Sequence, residues 1–165
     1  MIFVWLANSP YAWATKDNFT GSQGCESCHA EQTKAWRESD HAEAMQHANK
    51  NTVLGDFENT EYNADGITSR FFTRDGTYWI NTDGADGELR DFEIRYTFGI
   101  RPLQQYLVEF PDGRMQALRI AWDTRPESAG GQRWIHLYPD EVIVAGDLLH
   151  WTGSQQNWNY MCADC

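Results

Sequence analysis

Hydrophobic and polar positions along the chain change period twice. Ala30 to Ala48 is rich in Glu, Gln, Lys, Ala, Met and Arg and has no Gly or Pro, the composition of a helix. Asn49 to Asn63 is polar and reads as a loop. From Ile67 the period becomes two: Ile67, Ser69 and Phe71 alternate with Thr68, Arg70 and Phe72. Asp75-Gly76 is a hairpin-turn signal, and Tyr78-Trp79-Ile80 begins the return strand. After a turn over Asp83 to Gly87, Phe92, Ile94, Tyr96 and Phe98 alternate with Glu93, Arg95 and Thr97, the pattern of a half-buried strand. Gln105 to Phe110 and Met115 to Trp122 flank a third turn at Pro111-Asp112-Gly113. Arg125 to Gln132 reads as a loop, and Trp134 to Cys165, without a clear period, predicts short helices and loops. The expectation is an α+β chain: an N-terminal motif and helix, a central antiparallel meander of about five strands, and an irregular or helical C-terminal segment.

A chain of 165 residues suits one domain, here expected over residues 15–165 and beginning with a polar, Gly-rich lead-in at 15–24. The apolar run Met1 to Ala7, the break at Asn8-Ser9-Pro10 and the small residues of Ala12-Trp13-Ala14 have the grammar of a secretory signal cleaved after Ala14. Its basic lead is missing, so residues 1–14 read as a signal remnant, and the run is too short to span a bilayer, which takes ~20 residues. Export predicts a periplasmic or otherwise extracytoplasmic protein. The formal net charge of −11 argues against a nucleic-acid partner, because phosphate binding needs clustered Lys and Arg. Eight Trp, seven Tyr and eight Phe suit either a core packed on flat rings or an aromatic sheet core.

The four cysteines form two C-x-x-C pairs, Cys25/Cys28 and Cys162/Cys165. The first is followed directly by His29. Two thiols separated by two residues reach both vinyl groups of a haem, and the next histidine then lies under the iron as its proximal axial ligand. A zinc half-site would leave His29 without a role, and a redox dithiol should follow a strand and open a helix, which this one does not. The second pair repeats the spacing at the end of the sequence, so the chain reads as a fragment cut within a second motif. Candidates for further axial ligation are His41, His150 and His136, with His47, Met45 and Met161 weaker. On one helix from Glu31 to Ala48, His41 would lie about 18 Å along the axis from His29 at ~1.5 Å per residue, too far to share its iron but able to reach another.

Gly24-Cys25-Glu26-Ser27-Cys28-His29, followed by Trp36, Ser39 and His41, resembles the opening of the cytochrome c-554-like multihaem family. The stretches Phe98 to Leu107, Gly131 to Pro139 and His150 to Cys162 resemble a subgroup of exported cytochrome c-552/554 domain proteins that often carry tetratricopeptide repeats downstream. The resemblance implies covalent haem c, a second haem at Cys162 and Cys165 completed by a following His, His41 as a distal ligand, and periplasmic electron transfer to redox partner proteins. The meander between the two motifs departs from compact multihaem cytochromes. Two other functions fit the residues. One is a multihaem oxidoreductase acting on a small nitrogen or sulfur compound, with Arg101, His136 and Tyr138 available as acid/base groups. The other is a zinc-stabilised, non-catalytic binding module using both cysteine pairs.

Overall fold

The computed structural model describes residues 21–163. These fall into two compact units that divide between Glu38 and Ser39. The first holds helices α1 (Gln23–Glu26) and α2 (Ala30–Arg37). The second is built on nine strands: β1 (Met45–His47), β2 (Glu58–Ala64), β3 (Ile67–Arg74), β4 (Thr77–Asp83), β5 (Leu89–Phe98), β6 (Leu103–Glu109), β7 (Met115–Ala117), β8 (Ile120–Asp123) and β9 (Arg133–His136). A short helix, α3 (Trp158–Met161), follows. Adjacent strands are antiparallel in the order β2-β3-β4-β5-β6-β8-β9, with β1 beside β5 and β7 beside β6.

This corrects the α+β expectation. The chain is mostly β, and the sheet curls into a nearly closed, barrel-like form. The expected five-strand meander corresponds to β3 to β8, with β7 and β8 expected as one strand, but the sheet recruits segments on both sides. The helix expected to run to Ala48 stops at Arg37. Met45–His47 instead extends along β5, with Met45 opposite Phe98 and His47 opposite Tyr96, so sheet pairing overrides a composition that favours helix. The expected loop at 49–63 contains β2. Its residues are nearly all polar because it is a sheet edge, and only Thr60, Tyr62 and Ala64 turn partly inward. Asp65-Gly66, with φ of 54° and 79°, makes the same turn as Asp75-Gly76, with φ of 51° and 77°. Two successive residues with positive φ are what a tight hairpin between right-twisted strands requires.

The Phe92-to-Phe98 alternation holds only halfway. Pairing with β6 slips between Ile94 and Tyr96, and the extra residue moves the buried position from the aromatic series to Thr97. A similar break at Leu118-Arg119 divides the expected strand Met115–Trp122 into β7 and β8.

The interior is aromatic. Phe71 of β3 stacks on Trp134 of β9 at 3.6 Å between ring centroids, nearly parallel at 8°. Phe57 meets Phe71, Tyr106 and Trp134 edge-on at 5.3–5.6 Å. Aromatic pairs of this kind add to the large apolar area each ring buries. The loop preceding β2 approaches this cluster closely: a Cβ on Gly55 would lie 2.6 Å from the Tyr106 hydroxyl and 2.8 Å from Trp134. That hydroxyl accepts the Gly55 N–H at 2.9 Å and donates to Gln104 Oε1 at 2.8 Å. Tyr106→Phe leaves a partly buried N–H unpaired and is expected to cost about 1–2 kcal/mol, read from urea unfolding of the aromatic fluorescence.

Candidate haem site

The first cysteine pair is shaped by backbone hydrogen bonds within one turn. The N–H groups of Cys28 and His29 both donate to the Cys25 carbonyl, at 3.2 and 3.0 Å. The two thiols therefore sit three residues apart on a helical turn, both exposed. His29 leaves the helical conformation at φ −127°, ψ 45° and begins α2 through its carbonyl, which accepts the Thr33 N–H at 2.9 Å. Arg37 reaches back to Glu26 with two hydrogen bonds of 2.7 and 2.8 Å, joining α2 to α1. The Arg37 hydrogen bond and charge hold the Glu26 carboxyl below its ordinary value.

Neither helix has a buried residue, and Trp36 is 52% exposed. An eight-residue helix without a packed face is marginal by itself. The donor set fits a c-type haem: two accessible thiols for thioether bonds and an adjoining imidazole for iron. Residues 23–29 would hold the group covalently.

The second motif is carried differently. The Cys162 N–H donates to the Trp158 carbonyl at 3.0 Å, closing α3. α3 is fastened to the sheet ahead of it. Gln116 Nε2 donates to the carbonyls of Trp151 and Gly153, both at 2.9 Å. Asn159 Oδ1 accepts the Met115 N–H at 2.7 Å. Cys162 is half-buried, whereas Tyr160 and Met161 beside it are exposed. Cys165 and the proposed signal remnant lie outside the described residues.

The histidines are distributed through the second unit in distinct settings. His41 is exposed in a turn ahead of β1, and His47 is exposed on β1 with its ring 4.7 Å from that of Tyr96. His150 is fully buried. Its Nε2 lies 2.9 Å from Asp83 Oδ2, and its Nδ1 lies 2.7 Å from Thr152 Oγ1 and 3.3 Å from the Thr152 N–H. The backbone N–H makes Nδ1 an acceptor, so Nε2 carries the proton toward Asp83. Burial pushes the Asp83 carboxyl up, but the His150 hydrogen bond and charge, with the Thr82 hydroxyl, bring it below its ordinary value. His136 accepts the Tyr138 N–H on Nδ1 at 3.3 Å, and its Nε2 stands 3.8 Å from Asp65 Oδ2. Arg101 is paired with Asp40 at the surface, its Nε 3.1 Å from the carboxylate.

Two buried polar residues of this interior, Asp83 and Arg119, and Asp65 at its edge, carry no motif in the sequence. Arg119 does leave a trace, a single charge inside the apolar run Ala117-Leu118-Arg119-Ile120-Ala121-Trp122.

Residues 24–68 match the model of the cytochrome c554 and c-prime family. The match covers just over a quarter of the chain, from the first motif through His41 into β3. No curated protein and no solved structure matches the chain. Over residues 24–68 the chain is thus similar to the cytochrome c554 and c-prime family of haem-binding, electron-transfer proteins, whose cofactor is covalently bound haem c.

Proposed function

We propose that this chain is a domain of an exported multihaem electron-transfer cytochrome. The observation that carries the reading is the pair of exposed thiols on one helical turn with His29 next in sequence. Cys25 and Cys28 hold the first haem and His29 is its proximal ligand; Cys162 and Cys165 hold the second. Haem c, when bound, supplies an iron that cycles between two oxidation states. The chain's own part would be to fix that group covalently through the two thiols and to offer an imidazole to its iron.

His41 is the best-supported further axial ligand, because it lies within the family match and its side chain is exposed. His136 and His150 use their ring nitrogens in the sheet interior, which supports structural roles for both. The acid/base set proposed for an oxidoreductase is divided, with Arg101 bound to Asp40 and His136 inside the sheet, which favours electron transfer. Among the described residues no helix is long and apolar enough to cross a membrane.

Protein produced from its complete gene with a c-type maturation system is expected to contain at least two covalent haems per chain by iron analysis and pyridine haemochrome. Its ferric EPR spectrum is expected to be low-spin, and His41→Ala is expected to convert one haem to high spin. Stoichiometric zinc in place of haem would overturn the reading. A high-spin signal in the unmodified protein would favour the oxidoreductase.

A further inference from the structure

We propose that the sheet interior contains a binding site for a small neutral molecule that both accepts and donates hydrogen bonds, formed by Arg119, His136 and Asp65. The three side chains come from different parts of the sheet: the β7–β8 break, the end of β9 and the β2–β3 turn. They meet at a cavity of about 30 Å³ walled on its apolar side by Ile80, Leu118 and Trp151. That volume suits about two water-sized groups, at 10–15 Å³ each.

Arg119 is 8% exposed, and its Nε has no hydrogen-bond partner. Its terminal nitrogens make only long contacts, 3.3–3.5 Å, to Asp65 and the Ile143 carbonyl. A buried guanidinium with an unmatched N–H is costly, and such a group in a native fold calls for a partner. His136 supplies a second donor. Its Nδ1 accepts the Tyr138 N–H, which leaves the proton of the neutral ring on Nε2. That nitrogen is 3.8 Å from Asp65 Oδ2, beyond hydrogen-bond distance. Asp65 is the complementary acceptor, its side chain 16% exposed although its backbone forms an outer turn.

Charge selects the class of ligand. Arg119 feels Asp65, Asp83 and Asp147 together, so an added anion meets a net negative surrounding. A cation would face the Arg119 and His136 N–H groups. Among the described residues no three His, Cys, Asp or Glu converge to hold a metal ion. A neutral amide or hydroxyl satisfies all three groups: its oxygen accepts from Arg119 Nε and His136 Nε2, and its N–H or O–H donates to Asp65.

The test is titration of isotope-labelled, reduced holoprotein with formamide, following the Arg119 Nε–H and His136 ring nitrogens by NMR. Saturable shifts at both groups are expected, with neither acetate nor methylammonium producing them. His136→Leu is expected to weaken formamide at least tenfold, while His136→Gln, which keeps an N–H donor, stays within threefold of the unmodified protein. Arg119→Gln is expected to remove binding; if it does not fold, the His136 pair decides alone. Absence of a saturable shift, which would leave water as sole occupant, overturns the proposal. So does equal binding of either ion, or an unchanged affinity in His136→Leu.

Discussion

Replacing Cys25 and Cys28 together by alanine is expected to remove one covalent haem per chain and leave the aromatic sheet folded. The thiols are the only covalent link available within the turn at residues 23–29, and a thioether cannot be replaced by a methyl group. The loss should be complete at that site in pyridine haemochrome and in haem staining after denaturing electrophoresis. The consequences should also be local. α1 and α2 have no buried residue, whereas the sheet has its own core around Phe57, Phe71, Tyr106 and Trp134. Near-ultraviolet circular dichroism of those rings should therefore survive. Helix content over residues 23–37 should fall, because the segment has no buried residue and the exposed Arg37–Glu26 pair offsets little of the entropy of ordering it. Cys162→Ala with Cys165→Ala tests the second motif in the same way and should remove a different haem. If that pair leaves the haem count unchanged, the C-terminal motif is not an attachment site, although the first motif is unaffected. His29→Ala separates attachment from ligation: the thioethers can still form, but the iron loses an imidazole and its low-spin spectrum.

The contrast between the two motifs also explains what was legible in the sequence. A c-type attachment site is local, with five consecutive residues carrying both bonds and the ligand, so its chemistry is visible before any fold is known. β3 to β6 were legible for a similar reason, since each alternates over enough residues and is bounded by a turn signal such as Asp75-Gly76. β2 was missed because its outer face is polar, yet Asp65-Gly66 repeats the turn signal and could have revealed the hairpin. The end of α2 was not visible, because pairing of Met45–His47 with β5 is a contact across about fifty residues of sequence. Nor was the shift at Ile94/Tyr96: a single extra residue exchanges the faces of a strand without altering its composition. The histidines show the same limit at the level of side chains. By residue type both His41 and His150 are candidate iron ligands. What separates them is that His41 is exposed, whereas Asp83, sixty-seven residues before His150, lies against its ring.

That distance in sequence makes the Asp83–His150 pair the second large effect. His150→Ala is expected to destabilise the sheet by about 3–5 kcal/mol, because it removes the hydrogen-bond donor of a buried carboxylate and leaves that charge uncompensated. It strands the Asp83 carboxylate, which is also bound by Thr82 Oγ1 at 3.2 Å. It also loosens the segment that Trp151 Nε1 pins to the Asp83 carbonyl at 2.7 Å. Asp83→Asn should cost less, because the amide oxygen still accepts from His150 Nε2, but it should change the pH response. The Asp83 carboxyl titrates below its ordinary value in the fold, and the unfolded value is about 3.9. Its contribution is therefore fully present above about pH 4 and is lost as pH falls through the lower, folded value. Urea midpoints at pH 7 and pH 3 should show this loss in the unmodified protein and a smaller one in Asp83→Asn. The same variants decide between the two roles open to His150. An iron ligand would be revealed by a change of spin state in His150→Ala with little change in the Asp83-dependent pH response. A mount for the C-terminal motif gives the reverse: a large loss of stability, an altered acid limb and an unchanged EPR spectrum. The geometry favours the mount, since the segment from 150 to 159 is held to β4 and β7 by His150, Trp151, Gln116 and Asn159 before it delivers Cys162.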